Sequence, residues 1–208
     1  MTIRDIAAQA PVIPIVVVDD PATAVPLARA LVAGGLPVIE VTLRTEAAVT
    51  AARAMIDQVP GAIVGLGTVT QRDHIAAALD INARFIVSPG FSPELAQHAH
   101  RASLPYLPGI MTPSELMMAQ TLGLPVMKFF PAEPAGGVAA LKALHGPFPD
   151  VRFCPTGGID AAKAPAYLAL PNVIAVGGSW VAPKAAIDAG DWGRITDLAR
   201  AARSLRGK

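Results

Sequence analysis

Apolar residues in this chain recur as short runs, set between longer stretches in which aliphatic side chains return at helical spacing among small and polar ones. The runs 12–18, 38–43, 63–69, 85–88, 106–107, 126–130, 152–155 and 173–176 are rich in Val, Ile and Phe and too short for helices, so each predicts a buried strand. A short helix is predicted over 2–9. Asp19, Asp20 and Pro21 open a second helix that stops at Gly34 and Gly35, and Thr45 is read as the N-cap of a third that reaches Val59. Further helices fall at 71–80, 92–102, 112–122, 136–145 and 160–169, with one or two between 183 and 205. Strand and helix alternate with a repeat of about 20–26 residues, the length of a β-α unit. Eight such units predict a parallel (β/α)8 TIM barrel with a short N-terminal helix. An open doubly wound sheet is the alternative, disfavoured by the count of eight and by the lack of a strand that reads as an antiparallel edge. No polar linker or charge run divides the chain, so residues 1–208 are read as one domain.

Composition narrows the class. Hydrophobic residues make up 52% of the 208 and charged residues 16%, enough apolar surface for a sizeable core. A formal net charge of +1 with scattered Lys and Arg offers no basic stripe, which argues against a nucleic-acid partner. One cysteine, Cys154, rules out an intrachain disulfide and suits a buried apolar position. The first six residues lack the basic segment and long apolar core of a signal peptide, and no run reaches the roughly 18 apolar residues of a membrane helix, so a cytoplasmic protein is expected. His74, His98, His100 and His145 form no ligand-like grouping, and no metal is expected. Met117, Met118 and Met127 read as core filler.

Against this apolar background the polar residues on strands stand out. Lys128 sits inside the run 126–130; a buried lysine must find a partner or give up its proton, and a neutral amine attacks carbonyl carbon, which makes Lys128 the candidate for a Schiff base. Glu40, Thr42 and Arg44 alternate along the second strand and so share a face. In a barrel the strand ends carry the active site. Glu40 is then the candidate general acid/base, Arg44 a planar donor pair for a substrate carboxylate, and Thr68 a further hydrogen-bonding group. A buried ion pair that only fixes register is the plainer reading of Glu40 with Lys128. The Gly157-Gly158 and Gly177-Gly178-Ser179 turns follow the last two strands, where barrels often bind phosphate through backbone amides. Asp160 is read as a cap for the next helix. The inferred ligand carries a carbonyl at one end and a phosphate at the other.

The segments Val38-Ile39-Glu40-Val41-Thr42-Leu43-Arg44-Thr45, Val64-Gly65-Leu66-Gly67-Thr68-Val69, Ser88-Pro89-Gly90, Lys128-Phe129-Phe130-Pro131-Ala132-Glu133, Phe153-Cys154-Pro155-Thr156-Gly157-Gly158-Ile159 and Gly177-Gly178-Ser179-Trp180 resemble the 2-keto-3-deoxy-6-phosphogluconate (KDPG) and 4-hydroxy-2-oxoglutarate aldolase family. The resemblance runs nearly end to end, with the motifs in order. It implies a class I aldolase of the Entner–Doudoroff pathway, without metal or cofactor, built as a (β/α)8 barrel and usually a homotrimer, whose small-molecule substrate is a phosphorylated keto acid. By motif it makes Lys128 the Schiff-base lysine and Glu40 the acid/base. Arg44 and Thr68 then hold the pyruvate part, Pro89 and Phe130 shape its pocket, and Thr156, Gly157, Gly158, Gly178 and Ser179 receive the phosphate. Leu66 departs from the family's alanine and touches only packing. Glu133, at the end of the lysine motif, reads as loop or interface structure, and Trp180 and Trp192 as possible subunit contacts. The competing readings are an aldolase of the same family for the galactonate epimer or for 4-hydroxy-2-oxoglutarate, a phosphosugar isomerase or synthase that uses Lys128 only electrostatically, and a non-catalytic sugar-phosphate binding protein.

Overall fold

A computed structural model describes residues 1–205. Its strands are β1 (Val12–Val16), β2 (Val38–Thr42), β3 (Ile63–Gly67), β4 (Ile86–Val87), β5 (Tyr106–Leu107), β6 (Gly109–Ile110), β7 (Val126–Phe129), β8 (Arg152–Pro155) and β9 (Val176–Gly178). The helices are α1 (Ile3–Ala7), α2 (Ala24–Ala33), α3 (Ala48–Gln58), α4 (Arg72–Asp80), α5 (Pro93–Arg101), α6 (Pro113–Thr121), α7 (Gly137–His145), α8 (Ala164–Leu168), α9 (Lys184–Asp188) and α10 (Trp192–Arg203). Strands and helices alternate as the hydrophobic pattern predicts, and every strand pair is parallel.

The hydrogen-bonded ladder departs from the single eight-stranded ring expected. It forms a six-stranded sheet in the order β5-β4-β3-β2-β1-β9 and a three-stranded sheet in the order β6-β7-β8. The break lies at Pro108, which has no N–H to give: the chain pairs with β4 before it and with β7 after it, and the Pro108 carbonyl accepts from Lys128 N–H at 2.8 Å. On the other side β8 meets β9 only through isolated bridges, Phe153 with Val173 and Thr156 with Gly177. The last strand also starts three residues later than the pattern suggests, because Val173 donates its N–H back to Leu170 in the turn after α8. The first and last strands are nevertheless neighbours, an arrangement an open doubly wound sheet does not have.

Two clusters hold the structure together. The larger lies between strands and helices and contains Met127, Phe129 and Phe153, the last two edge to face with ring centroids 6.4 Å apart. The smaller lies on the other face of the strands: Ile13, Val38, Phe85, Val87, Leu107, Val126 and Cys154 pack beneath Ile3, Ile6 and Ala7 of α1. A Thr2–Asp5 capping box starts α1, which thereby closes the N-terminal ends of the strands. The alternation of strands then puts Glu40, Lys128 and Thr156 on the same inward face as Val38, Val126 and Cys154, two residues further along. Leu66 is fully buried in the larger cluster, a matter of packing as expected.

Two expectations are corrected locally. Thr45 does not cap α3, which starts at Ala48 after Ala47 without a side-chain cap; the Thr45 hydroxyl instead donates to the Val18 carbonyl at 2.6 Å and ties two loops together. Met117 and Met118 are not core. α6 buries Leu116 and Ala119, three apart, which turns Met117 and Met118 outward at 58% and 48% exposure, and of the three methionines expected in the core Met127 alone is buried. Among the described residues no helix is long and apolar enough to cross a membrane.

Candidate active site

A cavity of about 290 Å³ lies beyond the C-terminal ends of the strands. Its floor is Lys128 on β7 and Glu40 on β2, 6% and 3% exposed, with Lys128 Nζ 3.2 Å from Glu40 Oε1. Glycines make the room. A Cβ on Gly67, at the end of the neighbouring β3, would lie 2.3 Å from Glu40 Oε1, and one on Gly109, in register with Lys128, would lie 2.3 Å from the Pro89 carbonyl oxygen. The Phe130 ring stands over the ammonium, 5.2 Å from its centroid. Taking both charges out of water is costly, so the pair persists only while both partners are present. What it can do is pass a proton along its hydrogen bond and present an amine to a carbonyl above it.

One wall gathers the groups expected to hold a carboxylate. Arg44 Nε donates to Thr42 Oγ1 at 3.2 Å, and that hydroxyl donates onward to the Val16 carbonyl at 3.0 Å. Among the described residues the terminal nitrogens of Arg44 have no protein acceptor. Thr68 adopts φ +62°, a left-handed conformation that costs a non-glycine residue about 1 kcal/mol or more, and lines the cavity there. Pro89 sits on a loop held by Ser88. Since Ser88 Oγ lies 2.6 Å from the Gly90 carbonyl, which can only accept, it donates there and receives the Tyr106 hydroxyl at 2.6 Å and the Gly109 N–H at 3.4 Å. Burial pushes the Tyr106 phenol up to about 12.

The opposite wall is the glycine end, formed by Thr156, Gly157 and Gly158 with Gly178 and Ser179. Gly157 and Gly158 have φ +104° and +78°, open to glycine at no steric cost. At Gly178 a Cβ would lie 1.8 Å from the Trp180 ring, so that tryptophan is occupied in packing against the loop. Among the described residues the N–H groups of Gly158 and Ser179 donate to no protein carbonyl, which leaves donors along a cavity wall, while that of Gly157 faces the Gly177 carbonyl across the bridge to β9. Among the described residues the only cations lining the cavity are Arg44 and Lys128, so an anion at this end meets amides and hydroxyls. Asp160 does not cap α8 itself; its carboxylate accepts from Ala162 and Lys163 N–H in the turn before it.

All eleven residues singled out in the sequence line this one cavity, together with Ile15, Thr42, Ile159 and Gly177. Sequence reasoning gave no role to Thr42, Ser88 or Tyr106; the signal available was a hydroxyl inside an apolar strand. Among the described residues no three His, Cys, Asp or Glu side chains are placed to hold a metal. Cys154, in register with Lys128, is buried, and burial pushes its thiol up to about 12. Its thiolate then amounts to about one part in ten thousand at pH 8, so thiol reagents are expected to leave the folded protein unlabelled and to label one cysteine in denaturant.

The family described as "Aldolase: KDPG and KHG aldolase" matches residues 3–198. A 2-dehydro-3-deoxy-phosphogluconate aldolase of Pseudoalteromonas atlantica is 50% identical over 96% of this chain and 93% of its own. A KHG/KDPG aldolase of Escherichia coli K12 is 53% identical over 92% and 90%. Among solved structures, a KDPG aldolase from Legionella pneumophila, with pyruvate captured as a covalent carbinolamine intermediate, superposes with a TM-score of 0.96 at 43% identity over 98% of this chain and 99% of that one. The KDPG aldolase of Zymomonas mobilis with 3-phosphoglycerate superposes with a TM-score of 0.93 at 45% identity over 98% and 96%.

Proposed function

This chain belongs to the KDPG and KHG aldolase family, and from that premise we propose how its geometry performs class I aldol cleavage of 2-keto-3-deoxy-6-phosphogluconate to pyruvate and glyceraldehyde 3-phosphate. The observation that carries the reading is the buried Lys128–Glu40 pair at the floor of a cavity whose walls differ in chemistry.

Transfer of a proton to Glu40 frees the Lys128 amine to attack the C2 keto carbon, giving a carbinolamine. Glu40 returns the proton to the departing hydroxyl, water leaves, and an iminium remains. Glu40, a carboxylate again, takes up the C4 hydroxyl proton as the C3–C4 bond breaks. The electron pair flows into the iminium to give an enamine, and glyceraldehyde 3-phosphate departs. Glu40 gives that proton to C3, and addition of water to the resulting iminium releases pyruvate and restores the amine. The imine supplies the electron sink, so the chemistry calls for no metal. Arg44, held by Thr42, and Thr68 hold the substrate carboxylate; Pro89 and Phe130 bound the pyruvyl part. Thr156, Gly157, Gly158, Gly178 and Ser179 receive the phosphate.

The two ladders are read as one (β/α)8 barrel, since β5 and β6 are one chain interrupted at Pro108 and β8 lies against β9. The enzyme is read as cytoplasmic and, from its family, as a homotrimer, for which the exposed Met111, Met117 and Met118 around α6 offer an apolar face. The galactonate epimer and 4-hydroxy-2-oxoglutarate remain substrates to compare, because both share the pyruvyl half. The test is borohydride reduction in the presence of pyruvate, followed by peptide mapping. A reduced pyruvyl adduct on Lys128 is expected; folded protein without one would sink the imine and favour an isomerase or binding barrel.

A further inference from the structure

The loop Thr156-Gly157-Gly158 is braced from outside the cavity. Glu133, which follows the lysine strand, accepts the Tyr167 hydroxyl on one carboxylate oxygen and pairs with Lys163 Nζ at 2.8 Å on the other. Lys163 Nζ donates in turn to the Gly158 carbonyl at 2.9 Å. Two backbone bonds complete the set: Ala132 N–H to the Thr156 carbonyl at 2.7 Å and Glu133 N–H to the Gly157 carbonyl at 3.1 Å. Three successive loop carbonyls are thus each held by a donor from the brace.

The consequence follows from the planar trans peptide, in which C=O and the next N–H point in opposite directions. Fixing the carbonyls of 156, 157 and 158 on the brace side turns the following N–H groups the other way: that of Gly157 across to Gly177 in the bridge to β9, and those of Gly158 and Ile159 where both residues line the cavity. Among the described residues the N–H groups of Gly158 and Ile159 have no protein acceptor. The fit is close, since a Cβ on Gly158 would lie 2.8 Å from Glu133 Cβ. Lys163 holds the Glu133 carboxyl below its ordinary range while Glu133 holds the Lys163 amine above its own, so both are charged at neutral pH. The pair cancels, and the brace adds geometry without adding net charge.

We propose that Glu133, Lys163 and Tyr167 are positioning residues that aim the Gly158 and Ile159 amides at the substrate's phosphate and so set the preference for phosphorylated over non-phosphorylated keto acids. The proposal rests on reading this loop as the phosphate end. Its weakest-buried member, Lys163, has a side chain 46% exposed and is the safest to alter.

The experiment compares wild type with Lys163→Met, Lys163→Arg and Glu133→Gln, each checked by thermal melting. It measures kcat and KM for 2-keto-3-deoxy-6-phosphogluconate and for 4-hydroxy-2-oxoglutarate, inhibition by glycerol 3-phosphate, and borohydride trapping of pyruvate. In Lys163→Met and Glu133→Gln the KM for the phosphorylated substrate and the inhibition constant are expected to rise roughly tenfold, the effect of losing about one charge-assisted hydrogen bond. The kcat, the pyruvate trapping and the kinetics of the non-phosphorylated substrate stay at wild-type values, and Lys163→Arg restores affinity. Equal losses on both substrates, or no loss on either, overturn the proposal. Failure of glycerol 3-phosphate to inhibit the wild type overturns the phosphate reading itself, and that is seen before any variant is measured.

Discussion

Replacing Lys128 with alanine is expected to lower kcat for aldol cleavage by at least about 10⁴-fold and to abolish the borohydride-trapped pyruvyl adduct, because the amine is the atom that bonds to substrate. The alanine variant also leaves Glu40 buried without its cation, a change expected to cost about 3–5 kcal/mol unless the carboxyl takes up a proton. A loss of activity could then be a loss of fold. Lys128→Arg separates the two: a guanidinium keeps a positive charge beside Glu40 but forms no imine with a keto acid. The expected pattern is inactivity in both variants, with melting temperature held better by arginine. Pyruvate release coupled to lactate dehydrogenase, read with thermal melting, measures it. Appreciable turnover in a folded Lys128→Arg protein would refute covalent catalysis at this residue.

Glu40→Gln is the second large effect. Glutamine keeps the shape that Gly67 makes room for but can neither accept nor return a proton. Proton transfer by a positioned side chain contributes about 10²–10⁴-fold, so kcat is expected to fall by that order. Four steps share the carboxylate: dehydration of the carbinolamine, removal of the C4 hydroxyl proton, protonation of the enamine carbon and hydrolysis of the product imine. Trapping with pyruvate should therefore slow without vanishing, and exchange of the pyruvate methyl protons with deuterated solvent, followed by NMR, should slow with it. Methyl exchange at the wild-type rate alongside slow cleavage would assign the carbon proton to another group and leave Glu40 only the nitrogen side of the reaction.

Much of the candidate site was legible because each element carried a local contradiction. A lysine in Val126-Met127-Lys128-Phe129 and a glutamate in Val38-Ile39-Glu40-Val41 break apolar runs, and period-two alternation then fixes which way they face. The Thr45 and Met117-Met118 expectations failed for a shared reason. A hydroxyl near a helix start can cap or tie a loop, and a methionine on a helix can face in or out; neighbours distant in sequence decide, Val18 in one case and the Leu116–Ala119 stripe in the other. The Ser88–Tyr106 hydrogen bond was hidden likewise, since its partners lie 18 residues apart and meet only when β4 pairs with β5.

From the residues alone came the alternation of strands and helices, the identity of the lysine and carboxylate, and the glycine turns, because hydrophobic period and residue chemistry are properties of short stretches. The tertiary structure decided the rest. It set the 3.2 Å between Lys128 and Glu40 across 88 residues of chain, split the ladder at Pro108, and gathered the brace behind Gly158. Those depend on how parallel strands stack around one another, and no local pattern encodes the distance between two residues brought together only by that packing.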